Sequence, residues 1–251
     1  MFNGDGMLIE SAEMRVYLRG VSIEDVDSIV KLANDRSIPG SIGSLGHFPY
    51  PYRRDDALSF INIAITGENA GREFHLSIIE RGTNNLCGVI GLNNVVRGFS
   101  SELGYWVGSS FRGRGYCTDA VRLIINFGFN RLDLYKIYAN VFPENTASVR
   151  VLQNAGFGNE CLLRAESIFT RYPDRFLDFM EVSRPVGGDI DIASVSDQLG
   201  LSIDVLESWN SRFVLRERSG FEESAGDIPR DSLRFSIFKN EYKPIDSISI
   251  I

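Results

Sequence analysis

Ten residues, Phe111 to Ala120 (FRGRGYCTDA), limit what this chain can fold into more than any other stretch. They follow a strand-like run, Leu103 to Val107 (LGYWV), and lead directly into an apolar-periodic segment, Ala120 to Phe129. Within them Gly113 and Gly115 alternate with Arg112 and Arg114. Strand, glycine turn and helix in that order form a layout suited to phosphate. Glycine allows positive φ and close backbone approach. The free N–H groups and dipole of a first helical turn favour an anion there, and arginines add charge-assisted donors. Arg112, Gly113, Arg114, Gly115, Tyr116, Cys117 and Thr118 are therefore the candidate cofactor contacts. The same ten residues would also serve as a plain structural turn, so a second motif has to decide.

Composition narrows the class. The 251 residues are 43% hydrophobic and 24% charged, the balance of a soluble globular protein with a real core. No apolar run approaches the ~20 residues of a membrane helix. The opening MFNGDGMLIESAEM lacks the basic flank and apolar centre of a signal peptide, so a cytoplasmic protein is expected. Cys87, Cys117 and Cys161 are scattered, and His47 and His75 are far apart. Neither a disulfide framework nor a metal site is predicted. The net charge of −7 argues against nucleic-acid and anionic-membrane partners, so a polyanionic ligand would need a local basic site such as the glycine loop.

The coarse pattern is α/β. Met14 to Arg19 reads as a strand, and Ser22 with Glu24 and Asp25 as a helix start followed by Ile23, Val26, Ile29, Val30 and Ala33 at helical spacing. A Gly/Pro/Ser-rich loop, Ser37 to Tyr52, precedes a helix over Arg54 to Ile65. Phe74 to Glu80, Leu86 to Asn93 and Ser101 to Val107 form a strand meander. Cys117 to Asn130 is a helix, Lys136 to Phe142 a buried strand, and Asn145 the cap of a short helix that ends at Gly156-Phe157.

That second motif, Asn145-Thr-Ala-Ser148 through Gly156-Phe157, resembles the GNAT acyl-CoA N-acyltransferases, especially the branch containing ribosomal-protein N-terminal acetyltransferases and many small-amine acetyltransferases. The likeness runs from about Met14 to Pro185. It includes YLRGVSIEDVDSIVKLAND (Tyr17 to Asp35), the strand SELGYWV (Ser101 to Val107), the loop, the Asn145/Ser148 helix and a closing strand LDFMEVSRP (Leu177 to Pro185). It implies a mixed, mostly antiparallel central sheet flanked by helices over residues 14–185, with a small C-terminal appendage over 189–251. It also implies acetyl-CoA or another acyl-CoA as co-substrate. By the same resemblance, backbone amides near Trp106 and Val107 hold the acyl carbonyl, Asn145 contacts the pantetheine chain, Ser148 lies by the thioester sulfur, and His47 faces the acceptor. Two departures stand out. Cys117 occupies a place usually Gly or Ala, and the family's thiolate-protonating tyrosine is missing, since Val149 to Leu152 offer no hydroxyl.

Thioester chemistry requires a neutral amine and a leaving thiolate. A lysine-type amine of pKa ~10.4 is only ~0.04% neutral at pH 7, against ~14% for an α-amine near ~7.8. A weakly basic acceptor thus needs little more than a water-linked carboxylate. Glu102, on the strand that splays in the family, is the first candidate for that base and for acceptor contact, ahead of His47 and Asp178. No His/Asp partner pattern marks Cys117 as a nucleophile, and direct transfer to a primary amine is the expectation. The acceptor could be a protein N-terminus, a polyamine or antibiotic, or an amino-sugar nucleotide. The appendage, being unusual for the branch, tilts the choice toward a bulky small molecule.

After Pro185 the resemblance ends. Gly187-Gly188 reads as a linker, and Asp191 to Phe213 has a helix-turn-helix outline. The alternative function is therefore an acyl-CoA-sensing regulator whose tail binds DNA or a protein. Residues 187–251 carry twelve acidic against seven basic residues, which is the wrong sign for phosphate contacts. The plainer reading is a packing or homodimer-forming appendage, with RFSIFKN (Arg234 to Asn240) as an added strand or partner edge.

Overall fold

The computed structural model describes residues 7–35, 37–38, 48, 51–170, 181–183, 214–216, 227–245 and 247–250. The strands are β1 (Leu8–Glu10), β2 (Val16–Gly20), β3 (Phe74–Glu80), β4 (Leu86–Val96), β5 (Ser100–Val107), β6 (Lys136–Val141), β7 (Gly158–Thr170), β8 (Glu181–Ser183), β9 (Val214–Arg216), β10 (Asp227–Phe238) and β11 (Ser249–Ile250). The helices are α1 (Val26–Ala33), α2 (Arg54–Asn69), α3 (Tyr116–Asn130) and α4 (Thr146–Asn154). Nine strands form one sheet in the order β11-β1-β2-β3-β4-β5-β6-β10-β7. Every pairing in it is antiparallel except that of β5 with β6. This is the mixed, mostly antiparallel sheet flanked by helices that the sequence leads one to expect.

Strand alternation sends successive side chains to opposite faces, and two separate cores result. On one face Val16, Leu18, Leu76, Ile78, Leu103, Ile137 and Ala139 pack with Val121, Ile124 and Phe127 of α3 and Leu152 of α4. On the other, Ile79 and Leu86 pack with Val26, Ile29 and Ala33 of α1 and Ala57 and Ile61 of α2, with Trp106 against the same cluster. The helix spacing noted in the sequence is the buried stripe of α1 from Val26 to Ala33, whereas Ile23, expected on the same stripe, lies in a 3-10 turn ahead of the helix and is exposed. The start of α1 is fixed by buried Asp25, which accepts from both terminal nitrogens of Arg19 (2.8 and 2.6 Å), from Ser77 Oγ (2.8 Å) and from the Ser22 amide (3.0 Å).

The closing strand differs from expectation. The described part of Leu177 to Pro185, β8, pairs with β9 in a separate two-stranded sheet. The place between β6 and β7 is taken by β10, whose Phe235 faces Ala139 on one side and Asn159 on the other. Phe235 and Ile237 are buried in the α3/α4 core. From β10 the chain crosses α3, where the Tyr242 ring lies 5.2 Å from that of Phe129 and its hydroxyl accepts from Asn126 Nδ2 at 2.9 Å. It ends in β11, with Ile250 opposite Ile9 of β1. Residues 227–250, expected in an appendage, therefore lie in the central sheet and along its principal helix, and a boundary at 185 would cut the sheet in two. The physical reason is that LDFMEVS and LRFSIFK offer the same local alternation, while only the second supplies Phe235 and Ile237 to the cavity left beside β6. Asp191 to Phe213 and the Gly187-Gly188 linker lie outside the described residues.

Candidate active site

Where β5 and β6 meet, only three positions pair: Ser100 with Lys136, Ser101 with Ile137 and Glu102 with Tyr138. Beyond them β5 stays paired to β4 as far as Val107, while β6 stays paired to β10 on its other edge as far as Val141. The two parallel strands diverge, and a wedge opens through the sheet. One wall is the edge of β5 from Leu103 to Val107. At its end the chain turns through Gly108 into the glycine loop and α3.

The loop has the geometry its glycines predict. Gly113 and Gly115 have φ of +73° and +80°, and Gly115 caps α3. The left-handed backbone demands glycine there, and a Cβ at Gly115 would lie 2.4 Å from Arg15 Nη1, so the arginine tip would also have to shift. Nothing in the sequence points to Arg15. Its Nη1 donates to the Arg114 carbonyl (3.0 Å), and its Nε and Nη2 to buried Asp119 (2.8 and 3.2 Å). Asp119, by sequence a first-turn acid, also accepts the Arg15 amide (3.0 Å). This clamp ties the residue just ahead of β2 to the glycine loop and the first turn of α3. Arg15 and Asp119 are 104 residues apart, and no local signal links them.

The loop arginines differ in what they do. Arg112 donates from Nε to the Val107 carbonyl (3.1 Å) and from Nη1 to Ser37 Oγ (2.7 Å), with Nη2 3.4 Å from Asp35. It braces the end of β5 against the end of α1. Arg114 is half exposed, 3.7 Å from Glu80 and over the Phe111 ring at 5.8 Å. The Tyr116 hydroxyl also donates to Glu80. Hydrogen bonds from Thr83 and Tyr116 hold the Glu80 carboxyl below its usual range, so this anion fixes the two loop side chains. Cys117 and Thr118 complete the first turn of α3, both partly buried. Burial pushes the Cys117 thiol up to about 12, which keeps it protonated and unreactive near neutral pH. The backbone amides of the loop and the charge of Arg114 are what remains to meet phosphate.

Two faces of β5 carry different chemistry. Glu102 stands at the apex of the wedge, on the face shared with Trp106. Its Oε1 accepts from Asn140 Nδ2 at 3.4 Å, and Asn140 Oδ1 accepts from Arg234 Nε at 3.0 Å. The Arg234 guanidinium lies over the Tyr138 ring at 4.8 Å. The strand from the C-terminal segment thus brings a cation to the neighbourhood of Glu102, a contribution that no local pattern around Arg234 reveals. On the opposite face Tyr105 points toward α4. Its hydroxyl is 2.7 Å from Ser148 Oγ. Ser148 is fixed from the other side by the helix cap, since its amide donates to Asn145 Oδ1 at 3.1 Å. Asn145 is therefore the cap the sequence indicates. Trp106 has its ring in the α1/α2 core, edge-on to Phe48 with centroids 5.9 Å apart, and Val107 is buried. Glu102, Trp106, Val107, the loop, Asn145 and Ser148 are all brought around one wedge. His47 and Asp178 lie outside the described residues. Tyr105 adds a hydroxyl to the site.

Among the described residues no cluster of His, Cys, Asp and Glu could hold a metal ion, and no helix is long and apolar enough to cross a membrane.

Comparison with known proteins agrees with this geometry. The chain is 36% identical over 94 residues to the probable N-acetyltransferase YjcK of Bacillus subtilis, covering 37% of this chain and 52% of that protein. It is 29% identical over 164 residues to the spermidine N(1)-acetyltransferase of Vibrio cholerae, covering 64% of this chain and 89% of that enzyme. The fold matches that of Mycobacterium smegmatis RimJ in complex with CoA-disulfide, with a TM-score of 0.63, 20% identity and coverage of 96% of this chain and 90% of that one. Residues 15–158 match the acetyltransferase (GNAT) domain model, and with that the chain belongs to the GNAT acetyltransferases, the acyl-CoA-dependent N-acyltransferases.

Proposed function

We propose that the protein transfers an acetyl group from acetyl-CoA to a primary amine by direct attack, without an acyl-enzyme. The observation that carries this reading is the wedge beside β5, with a carboxylate on one face, a serine hydroxyl on the other and the glycine loop at its end. The loop amides and Arg114 take the pyrophosphate, and Asn145 lies along the pantetheine arm. Amides near Trp106 and Val107 meet the acyl oxygen as its charge develops. Glu102 removes a proton from the incoming amine, directly or through water. The amine nitrogen bonds to the carbonyl carbon, the C–S bond breaks, and the sulfur takes a proton from Ser148.

Polyamines, terminal α-amines of proteins and amino-sugar nucleotides each present a primary amine, and the spermidine acetyltransferase relative lends support to the first. Residues 171–226 connect β7 to β10, the strand that runs beside β6, and in this reading they are an insertion within the acyltransferase unit that shapes the acceptor side. The test is thiol release from acetyl-CoA against spermidine, alanine- and serine-terminated peptides, aminoglycosides and an amino-sugar nucleotide, with the acetylated product identified by mass. Amine-dependent thiol release supports the reading. Stabilisation by acetyl-CoA with no turnover on any amine, together with salt-dependent retention on DNA, would replace it with the regulator.

A further inference from the structure

The family's thiolate-protonating tyrosine is absent from α4, yet a tyrosine hydroxyl stands beside Ser148 from across the wedge. Resting on the reading of Ser148 given above, we infer that Tyr105 of β5 is the positioning residue for the thiolate-protonating step, donating its hydroxyl hydrogen to Ser148 Oγ so that the serine proton is aimed at the departing sulfur.

Three observations carry it. First, among the described residues the phenol has two oxygens in reach, both on Ser148: Oγ at 2.7 Å and the backbone carbonyl at 3.3 Å. O–H···O bonds fall at about 2.5–3.0 Å, so the Oγ contact is the strong one; either oxygen can donate across it, and the hydrogen is assigned to the phenol. Second, the serine is held at both its backbone and its side chain. Its amide is held by Asn145 Oδ1 at 3.1 Å, at the third position of a capped helix, and its oxygen is held by the phenol. With Oγ occupied as an acceptor, its own hydrogen is left to point elsewhere. Third, Tyr105 packs against the core with Cys117 beside it, and burial pushes the phenol well above its ordinary range. The phenol stays protonated throughout the working pH range and is a permanent donor. A serine hydroxyl that accepts such a bond becomes a better proton donor in turn, because hydrogen bonds in a chain polarise one another.

The step balances without any further reactant. The C–S bond breaks and its electron pair stays on sulfur, Ser148 Oγ–H supplies the proton, and the Tyr105 hydrogen bond shortens toward the oxygen that has lost it. The amine's own lost proton, taken up on the Glu102 face, is the equivalent that restores the serine through solvent after product leaves.

Tyr105→Phe keeps the ring in its packing and removes only the hydroxyl. Thiol release from acetyl-CoA, with hydroxylamine as a small amine that is neutral at pH 7, reads the step without knowledge of the natural acceptor. The expected result is a turnover about three- to tenfold lower, the factor one ordinary hydrogen bond carries, with KM for acetyl-CoA unchanged. In the Ser148→Ala background the same change has no further effect, since the two groups act as a unit. An additive loss in the double variant, or an unchanged turnover for Tyr105→Phe where Ser148→Ala is slow, overturns the inference and leaves the acetyltransferase reading standing. Ser148→Ala at full turnover removes the serine and the tyrosine together. No thiol release by the wild-type protein removes the reading of function itself. Should Tyr105→Phe fail to fold, 3-fluorotyrosine at position 105 keeps the shape and strengthens the donor. Faster thiol release is then expected, and an unchanged or slower rate overturns the role.

Discussion

Replacing Phe235 with alanine tests whether the C-terminal segment is part of the catalytic sheet. Phe235 is 1% exposed and sits on β10 between Ala139 of β6 and Asn159 of β7, inside the core that α3 covers. Truncating a buried phenylalanine to alanine costs about 3–5 kcal/mol, through lost transfer energy and the cavity left behind. Whole-protein stability is about 5–15 kcal/mol, so a large share of it would go. In urea unfolding followed by far-UV circular dichroism, with a slope of about 2 kcal/mol per molar, the midpoint should fall by about 1.5–2.5 M and the slope should hold. Leu162→Ala on neighbouring β7, where the side chain is 52% exposed, is the control and should move stability by about 0.5 kcal/mol or less. If Phe235→Ala shifted the midpoint no more than Leu162→Ala does, β10 would not be a core strand, and the placement of Arg234 beside Glu102 would fall with it.

Gly115→Ala forces a side chain into left-handed backbone and against Arg15, and should raise KM for acetyl-CoA by about tenfold or more with a stability cost of about 1–2 kcal/mol. A KM within twofold of wild type would count against the loop as the phosphate site. Burial lowers the His75 pKa from its ordinary 6.5, with Glu73 offsetting only part of the effect. The folded value is depressed, so the unfolded chain takes up the proton first, and stability should decline as pH falls below about 6.5. His75→Gln should flatten that part of the urea-midpoint profile, and an unaltered profile would remove His75 as its source. Iodoacetamide near pH 7.5 should label exposed Cys161 well before Cys87 and Cys117, whose thiols burial pushes up to about 12. Peptide mass mapping that finds Cys117 labelled first would contradict the burial described for it. An internal deletion from 174 to 223, joined by a short glycine-serine turn, keeps β7 and β10 and should preserve acetyl-CoA binding while changing acceptor preference. Unchanged rates across the amine panel would free the insertion of any part in acceptor choice.

The parts of this site that are legible in the sequence are those whose cause is local. Positive φ at Gly113 and Gly115 and the Asn145 cap on the Ser148 amide each depend on residues within a few positions, and residue type alone signals both. Pairing across distance carries no such signal. Arg15 meets Asp119, Tyr105 meets Ser148 and Arg234 meets Asn140 at separations of 104, 43 and 94 residues, and nothing in the local pattern of either partner names the other. The misplaced closing strand has the same origin. Alternation reveals that a segment can be a strand, whereas its neighbours in a sheet are chosen by which apolar face fills the remaining core, and here Phe235 and Ile237 fill it. Arg112 shows the converse case: the motif identifies the residue, but its donors turn to Val107 and Ser37.

If the wedge works from two faces, Glu102 takes the amine proton and Ser148 supplies the thiolate proton. Turnover of Glu102→Gln and Ser148→Ala at saturating acetyl-CoA, with an amine the panel shows to be acetylated, tests it most directly. Each should fall by about 10²-fold, the lower end of what positioned acid–base groups contribute, while KM for acetyl-CoA stays within about twofold. Wild-type turnover in both variants would mean that neither side chain carries a proton in the reaction.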